Sequence, residues 1–430
     1  MKRDNPVLFE YYPKLKENVP WTSILTKVPT PVDKLKNLED YFGIQDGHIY
    51  IKRDDLNHHI YGGNKLRKFE FIFGDILEKQ KEGVITTGGV GTNHGLACAV
   101  VCNCLDPPLN YDLFLFPQPL TWHVQRSLLL FDYFGANLHL GKGDISSFLK
   151  ALGFQITHPK YYLILPGGSP LFGFGTILGS IGFINAILEL KMQIENEDIK
   201  TPDAIFVATG STGTASGLAA GIKLFDLGTK LYAVAVYDDF ITNPKAILRN
   251  GNKAIRYLRK FDKSLPNVTL QESDFEFVKG YLGSGYGIKT LKCQNAVDLI
   301  TGLEGKEKGF KLDTTYTGKA AASMIDFLNE KENRDKNVLF WNTYNSNDLD
   351  NYLREIGYDY KALPKEFHRF FEEQFFQCWL IESCTQGEKE KCPVYMNHEY
   401  RCWKIKNCPE DIRKNCKKYE YLKNVIKLED

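Results

Sequence analysis

The stretch HHIYGGNKLRKFEF, His58 to Phe71, sets Lys65 behind two glycines and an asparagine, at a turn that opens a helical pattern. A single lysine at a helix start is ordinarily a solvated cation, so its neighbours decide what it does. Two other glycine-rich segments supply them: TTGGVGTNHG (Thr86–Gly95) and ATGSTGTASG (Ala208–Gly217). In the second, glycines let the backbone turn tightly and aim successive N–H groups at an anion. The helix N-terminus that follows adds a positive end, and Ser211, Thr212 and Thr214 add hydroxyls. Gly210, Ser211, Thr212, Gly213 and Thr214 thus form a cradle for one phosphate, set against the plainer alternative of a structural strand-to-helix turn. No Gly-Lys-Ser/Thr follows, so this is not a Walker A loop. Glycines at 210, 213 and 217 do not make the G-x-G-x-x-G dinucleotide fingerprint either.

An amine at a glycine turn, a one-phosphate cradle and a polar GTNHG turn match a cofactor with one phosphate, one aldehyde for a lysine imine, and a ring that stores electrons. Pyridoxal 5'-phosphate is that cofactor.

The elements that must position these groups read as alternating strands and helices. VITTGG (84–89), DLFLF (112–116), YYLILPGG (161–168), AIFVATGS (204–211) and LYAVAVY (231–237) are short apolar runs that end in polar or glycine residues. Runs apolar on both faces suit parallel strands covered by helices. VQRSLLLFDYFG and GFINAILELKMQI supply such helices. The expectation is an α/β protein with parallel sheets, its ligands at the carboxyl ends of the strands, where the glycine turns fall.

With 430 residues and 43% hydrophobic content, the chain is long enough for more than one core. Its formal net charge of +1 gives no bulk attraction to nucleic acid or to an anionic membrane. The N-terminus lacks a signal-peptide core, and no segment approaches the roughly 18 apolar residues of a membrane span. The expectation is a cytoplasmic protein with neither a nucleic-acid nor a membrane partner.

The motifs in order resemble the fold-type II pyridoxal-phosphate enzymes (the tryptophan synthase β group), in the branch of D-cysteine desulfhydrase and 1-aminocyclopropane-1-carboxylate deaminase. VPTPVDKL (28–35), IKRDDL (51–56), GGNKLRKFEF, GGSPLFGFG (167–175), ATGSTGTASGL, SGYGIKT (284–290) and LDTTYTGKA (312–320) carry the resemblance, from about Pro6 to about Tyr344. It implies two parallel-sheet domains: residues 1–80 with 180–350 as the large cofactor domain, and 81–179 as the small one. It implies a homodimer, a small amino-acid substrate, and Lys65 as both the imine lysine and the acid/base at Cα. Asn93 would bond the cofactor's ring hydroxyl, and Gly210 to Thr214 would grip its phosphate. Thr92, Asn93 and His94 would bind substrate, with a packed helix-start histidine as the plainer reading of His94. Tyr286 and Tyr316 would stand near the leaving group, with ordinary core aromatics as their plainer reading. Thr343 would face the pyridine nitrogen.

The implied reaction is β-elimination from a cysteine-like substrate, giving a 2-oxo acid, ammonia and sulfide. The alternatives are cyclopropane ring opening, and a catalytically altered relative that serves as a metal-binding sensor or binding protein. A nucleotide-binding oxidoreductase is disfavoured, because no acidic residue closes a strand about 20 residues past a true fingerprint. Three departures from the family pattern matter. Thr92 replaces a serine, DTTYTGK replaces DPVYTGK, and NTYN replaces HTGG, so Tyr344 and Asn345 stand where two glycines are usual.

From about Asn351 the character changes to a charged, aromatic helical linker (351–376), followed by a duplicated module (377–430). CWLIESCTQGEKEKCPVY and CWKIKNCPEDIRKNCKKY share three cysteines, a Trp, an Ile and a Tyr at equal spacing. Cys378, Cys384, Cys392, Cys402, Cys408 and Cys416 are candidate ligands for zinc or an iron–sulfur cluster, His398 being a further candidate. Disulfides and reduced core cysteines are the other readings.

Overall fold

The computed structural model describes residues 4–44, 48–118, 120–170, 175–196, 199–357 and 359–372. Its helices are α1 (Val7–Tyr11), α2 (Lys36–Phe42), α3 (Asn64–Glu78), α4 (Asn93–Cys104), α5 (Trp122–Tyr133), α6 (Asp144–Thr157), α7 (Leu178–Glu195), α8 (Gly213–Phe225), α9 (Pro244–Phe261), α10 (Leu291–Ile300), α11 (Lys306–Lys308), α12 (Thr317–Asn329), α13 (Asp350–Glu355) and α14 (Lys365–Glu372). Its strands are β1 (Val32–Lys34), β2 (Ile49–Arg53), β3 (Gly83–Gly89), β4 (Asn110–Phe116), β5 (Ala136–Leu140), β6 (Tyr161–Leu163), β7 (Ala204–Thr209), β8 (Lys230–Ala235), β9 (Phe275–Val278) and β10 (Val338–Asn342).

The chain divides into two units. The first comprises the described residues up to Gln80 together with Leu165–Asn347. Its six-stranded sheet has the order β1-β2-β10-β7-β8-β9, parallel except where β1 meets β2. β7 and β10 are buried along their whole length, as their mostly apolar residues on both faces require, and β2 is equally buried, its Lys52 and Arg53 paired with Glu189, Asp33 and Asp55. One core gathers Ile49, Ile51, Phe206, Val234 and Phe340 from the sheet with Ala321 and Met324 of α12. The carboxyl ends of β2, β10, β7, β8 and β9 lead into residues 54–63, 343–347, 210–212, 236–243 and 279–290. Parallel strands therefore deliver these segments to one edge of the sheet.

The second unit comprises residues 81–164 and the described residues from Asp348 to Glu372. Its parallel sheet has the order β5-β4-β3-β6. Ile85 and Phe114 pack beneath Ala151 and Phe154 of α6. Among the described residues no helix is long and apolar enough to cross a membrane. The mixed α/β architecture with parallel sheets is as the sequence implies.

Candidate active site

Lys65 is the second residue of α3, and its turn is made of approaches only glycine permits. A Cβ on Gly62 would lie 1.9 Å from the Asp55 carbonyl oxygen. One on Gly63, whose φ is 110°, would lie 2.8 Å from the Thr343 carbonyl oxygen. The backbone is bonded through these gaps. Gly63 N–H donates to the Asp54 carbonyl at 2.8 Å, and Asn64 N–H to the Thr343 carbonyl at 3.2 Å. Gly62 N–H donates to Asn345 Oδ1 at 2.8 Å. The NTYN segment after β10 is thus the partner of the lysine turn, and Asn345 supplies a side-chain acceptor that glycine lacks. On the near side, His58 Nδ1 accepts from the N–H groups of Ile60 (3.2 Å) and Tyr61 (3.4 Å).

A buried ionic network fixes α3 from beneath. Arg67 donates to Asp54 through Nε (2.8 Å) and Nη2 (2.7 Å), and through Nη1 to Glu189 Oε2 (3.0 Å). Lys52 Nζ donates to Glu189 Oε1 at 2.7 Å, and Trp341 Nε1 to Asp54 Oδ2 at 2.7 Å. Burial alone would raise the Glu189 pKa; Arg67 and Lys52 outweigh it and hold the carboxyl below its usual range.

Lys65 Nζ donates to Asn64 Oδ1 at 3.0 Å, and Asn64 Nδ2 donates to Thr214 Oγ1 at 3.1 Å. Asn64 therefore joins the lysine to the head of α8. At that head Thr212 takes φ 63°, a left-handed conformation costly for a β-branched residue, and its Oγ1 accepts from Asn250 Nδ2 at 3.3 Å. Gly213 leaves room for its neighbours, since a Cβ there would lie 2.0 Å from Ser169 Oγ and 3.1 Å from Lys68 Nζ. Ser169 Oγ is 3.2 Å from Ser211 Oγ.

Lys68, one turn beyond Lys65, points into the same cluster. Its Nζ donates to the Gly167 carbonyl at 2.8 Å and to Ser169 Oγ at 3.3 Å. It is 1% exposed, and no carboxylate pairs with it among the described residues. Burial, and then the charge of Lys65, push its pKa well below the ordinary lysine value. A desolvated cation without a counter-ion, beside a helix N-terminus and two serine hydroxyls, is electrically incomplete until an anion joins it. A phosphate monoester dianion supplies that charge, so these residues fit pyridoxal phosphate. No motif marks Lys68, Ser169 or Asn64 as a site residue in the sequence, although the i, i+3 spacing of Lys65 and Lys68 puts both on one helix face.

Tyr286 and Tyr316 meet hydroxyl to hydroxyl, their rings 5.9 Å apart and inclined by 72°. The Tyr237 ring lies 4.7 Å from that of Tyr286. Burial, followed by the neighbouring Tyr286, raises the Tyr316 pKa well above its ordinary value. Burial also raises that of Tyr286, against a lowering by its bond to Tyr316. Both hydroxyls are therefore held protonated. Asp313 sets the position of Tyr316. Its carboxylate accepts from the N–H groups of Thr315, Tyr316 and Thr317, each at 2.9 Å, and from Thr317 Oγ1 at 2.7 Å. Lys319 Nζ donates to the Leu282 carbonyl at 2.8 Å and so anchors the segment that carries Tyr286.

Thr92, Asn93 and His94 belong to the second unit. Thr92 caps α4, its Oγ1 accepting from Gly95 N–H at 3.2 Å. The methyl that distinguishes it from serine fits because its neighbours are glycines. A Cβ on Gly95 would lie 2.5 Å from that methyl, and one on Gly88 would lie 2.8 Å from it. His94 is buried, with Nε2 3.2 Å from Thr86 Oγ1 and 3.8 Å from Cys98 Sγ. Asn93 is the first residue of α4. Among the described residues no group of three or more His, Cys, Asp or Glu could hold a metal ion. Cys378, Cys384, Cys392, Cys402, Cys408, Cys416 and His398 lie outside the described residues.

A lysine is thus bonded through one asparagine to a helix head that suits an anion, at the edge of a parallel sheet. The chain belongs to the pyridoxal-phosphate dependent enzymes, whose family model matches residues 25–343. It is a lyase or deaminase of the fold-type II kind. It is 31% identical over 329 residues to the D-cysteine desulfhydrase of Salmonella schwarzengrund, covering 74% of this chain and 92% of the relative. The same identity and coverage relate it to the Salmonella typhi enzyme. The crystal structure of an ACC deaminase homologue superposes with a TM-score of 0.62 at 26% identity, covering 79% of this chain and 95% of the other. Threonine deaminase isoform 2 from Solanum lycopersicum shares the fold, with a TM-score of 0.52 at 16% identity and coverage of 83% and 93%.

Proposed function

We propose that the protein eliminates the β-substituent of a small cysteine-like amino acid, D-cysteine first, releasing a 2-oxo acid, ammonia and sulfide. The observation that carries this is the Lys65–Asn64–Thr214 chain of hydrogen bonds, which makes the reactive amine and the phosphate loop one unit. Pyridoxal phosphate, when bound, supplies the ring that accepts the electron pair from Cα. The remaining work belongs to side chains. Lys65 removes and returns the Cα proton. Lys68, Ser169, Ser211 and Thr214 bind the phosphate. Thr343 faces the pyridine nitrogen with a neutral hydroxyl. The Tyr286–Tyr316 pair holds a proton for the departing group. Thr92, Asn93 and His94 orient the substrate carboxylate and the cofactor ring.

Cyclopropane ring opening is the second reading, and position 317 bears on it. The cyclopropane deaminases carry an acid after the tyrosine. Here that place is Thr317, whose hydroxyl is bonded to Asp313 and buried. An acid there would face the Asp313 carboxylate at close range, which costs energy. This favours desulfhydrase chemistry. The test is to offer purified holoenzyme D-cysteine, L-cysteine and 1-aminocyclopropane-1-carboxylate. Sulfide and pyruvate from D-cysteine are expected. Turnover of the cyclopropane substrate alone would replace this reading with the second.

A further inference from the structure

The imidazole of His94 is held in one tautomer by its neighbours in the second unit. His94, in the first turn of α4, and Thr86, in β3, are both buried. Thr86 Oγ1 lies 2.6 Å from the Ile164 carbonyl oxygen and 3.2 Å from His94 Nε2. A carbonyl oxygen only accepts, so the single hydroxyl proton of Thr86 lies on the Ile164 side. Without it, two oxygens would face each other at 2.6 Å with no proton between them. Ile164 is fixed in that place, because its own N–H donates to the Ile85 carbonyl at 2.9 Å and extends the β3–β6 pairing. Thr86 therefore meets His94 with a lone pair, and the proton in that contact belongs to Nε2.

The surroundings agree with this proton. Cys98 Sγ, 3.8 Å from the same nitrogen, is compatible with it as a weak acceptor. The turn that carries the ring is pinned from two sides. Gly95 N–H donates to Thr92 Oγ1 at 3.2 Å, and the Tyr111 hydroxyl donates to the Gly95 carbonyl at 3.0 Å. With Nε2 protonated, the neutral imidazole keeps Nδ1 as its acceptor. That nitrogen takes an N–H, O–H or S–H and cannot bond a carboxylate, which only accepts. In a cysteine-like substrate the amino nitrogen is committed to the cofactor, so the donor that remains is the thiol.

We propose that Thr86 is a positioning residue that fixes His94 as an Nδ1 acceptor, and that His94 thereby selects a substrate with a hydrogen-bond donor, a thiol, on Cβ. This rests on the reading of His94 as a substrate-binding residue and names the group it binds. Within the Thr92–Asn93–His94 trio, the carboxylate then falls to Thr92 and the cofactor ring to Asn93. A substrate whose β-substituent has no donor, such as the cyclopropane methylene, gains nothing from His94. The discrimination is set one residue away from the substrate, by a hydroxyl whose proton is already spent on a backbone carbonyl.

The test begins with NMR of the holoenzyme carrying isotopically labelled histidine, compared with His94→Gln, whose missing signals assign the His94 ring. Ring nitrogen and carbon shifts report the tautomer independently of turnover. The Nε2–H form is expected in the wild type and in Thr86→Ser, with that preference lost in Thr86→Val. The Nδ1–H form in the wild type would overturn the proposal. Kinetics then test the group bound. With D-cysteine, kcat/KM should fall about fivefold to tenfold in Thr86→Val, the worth of one hydrogen bond, and return in Thr86→Ser. β-Chloro-D-alanine has the same carboxylate and amine but no donor on Cβ, and the wild type and both variants should turn it over equally. No loss with D-cysteine, or an equal loss with both substrates, would overturn the thiol as the group bound. A wild type inert to both substrates would sink the desulfhydrase reading, and the thiol with it, while the tautomer is still read from the ring signals.

Discussion

Lys68 lies one helical turn beyond Lys65, and the two amines point into one hydrogen-bonded cluster: Lys65 through Asn64 to Thr214, Lys68 through Ser169 to Ser211. Of the pair, Lys68 is the one buried without a carboxylate partner among the described residues. In the proposed function the amines take different tasks: Lys65 reacts, and Lys68 balances the phosphate charge.

Replacing Lys68 by Met should therefore leave the apo protein as stable as before or more so, because a desolvated charge is removed. Cofactor affinity should fall by about one to two orders of magnitude, in line with a charge-assisted hydrogen bond of about 1.5–3 kcal/mol. Thermal melts of apo and cofactor-saturated protein check both effects. The rise in midpoint on adding pyridoxal phosphate should shrink in Lys68→Met.

The tyrosine pair gives a kinetic prediction. Tyr316→Phe should lower kcat by about 10²–10⁴ if the pair delivers a proton to the leaving group. Asp313 contributes to the raised pKa of both tyrosines, after burial. In Asp313→Asn the alkaline limb of the kcat profile should move to lower pH, because the pair then ionises sooner. A profile that merely drops in height without moving would assign Asp313 to capping alone.

His58 predicts a pH dependence of stability. Burial, and then His59, lower its pKa from 6.5 to about 4, and its Nδ1 must stay unprotonated to accept from Ile60 and Tyr61. Between those values the folded chain binds fewer protons than the unfolded one. Stability is therefore full above the unfolded pKa and is lost as pH falls through the window towards 4. The loss should be on the order of 1–2 kcal/mol, after allowance for solvent near the ring. Melting midpoints measured from about pH 7 down to about pH 4.5 should fall more steeply in the wild type than in His58→Asn, whose amide accepts without titrating.

The buried network predicts a structural loss. Glu189→Gln leaves Arg67 and Lys52 short of one counter-charge and should cost about 3–5 kcal/mol. Urea unfolding with an unchanged m-value would measure it.

Much of the fold was legible because the strands β3, β4, β7 and β8 are apolar runs ending in turn residues. β2 was not marked by such a run. It reads IYIKR, and Lys52 and Arg53 break the apolar signature. Their burial follows from Glu189, Asp55 and Asp33, which lie far along the chain or on a neighbouring turn, and single-sequence periodicity does not contain those pairings. The same holds for the site. Lys65 and the Gly210–Thr214 cradle carried local turn chemistry and could be read. Lys68, Ser169 and Asp313 could not, because their roles come from what folds against them. In the sequence the NTYN turn is only a departure from two glycines, whereas in the fold Asn345 is an acceptor for Gly62 N–H.

In the proposed function Lys65, and not its neighbour Lys68, carries the cofactor. Reduction of the holoenzyme with borohydride, followed by proteolysis and mass spectrometry, distinguishes the two. A reduced phosphopyridoxyl group is expected on the peptide containing Lys65, fragmenting to that residue, with loss of the yellow absorbance at about 415 nm in Lys65→Ala. The group on Lys68 or on any other lysine, or a protein that binds pyridoxal phosphate with no lysine modified, would contradict it.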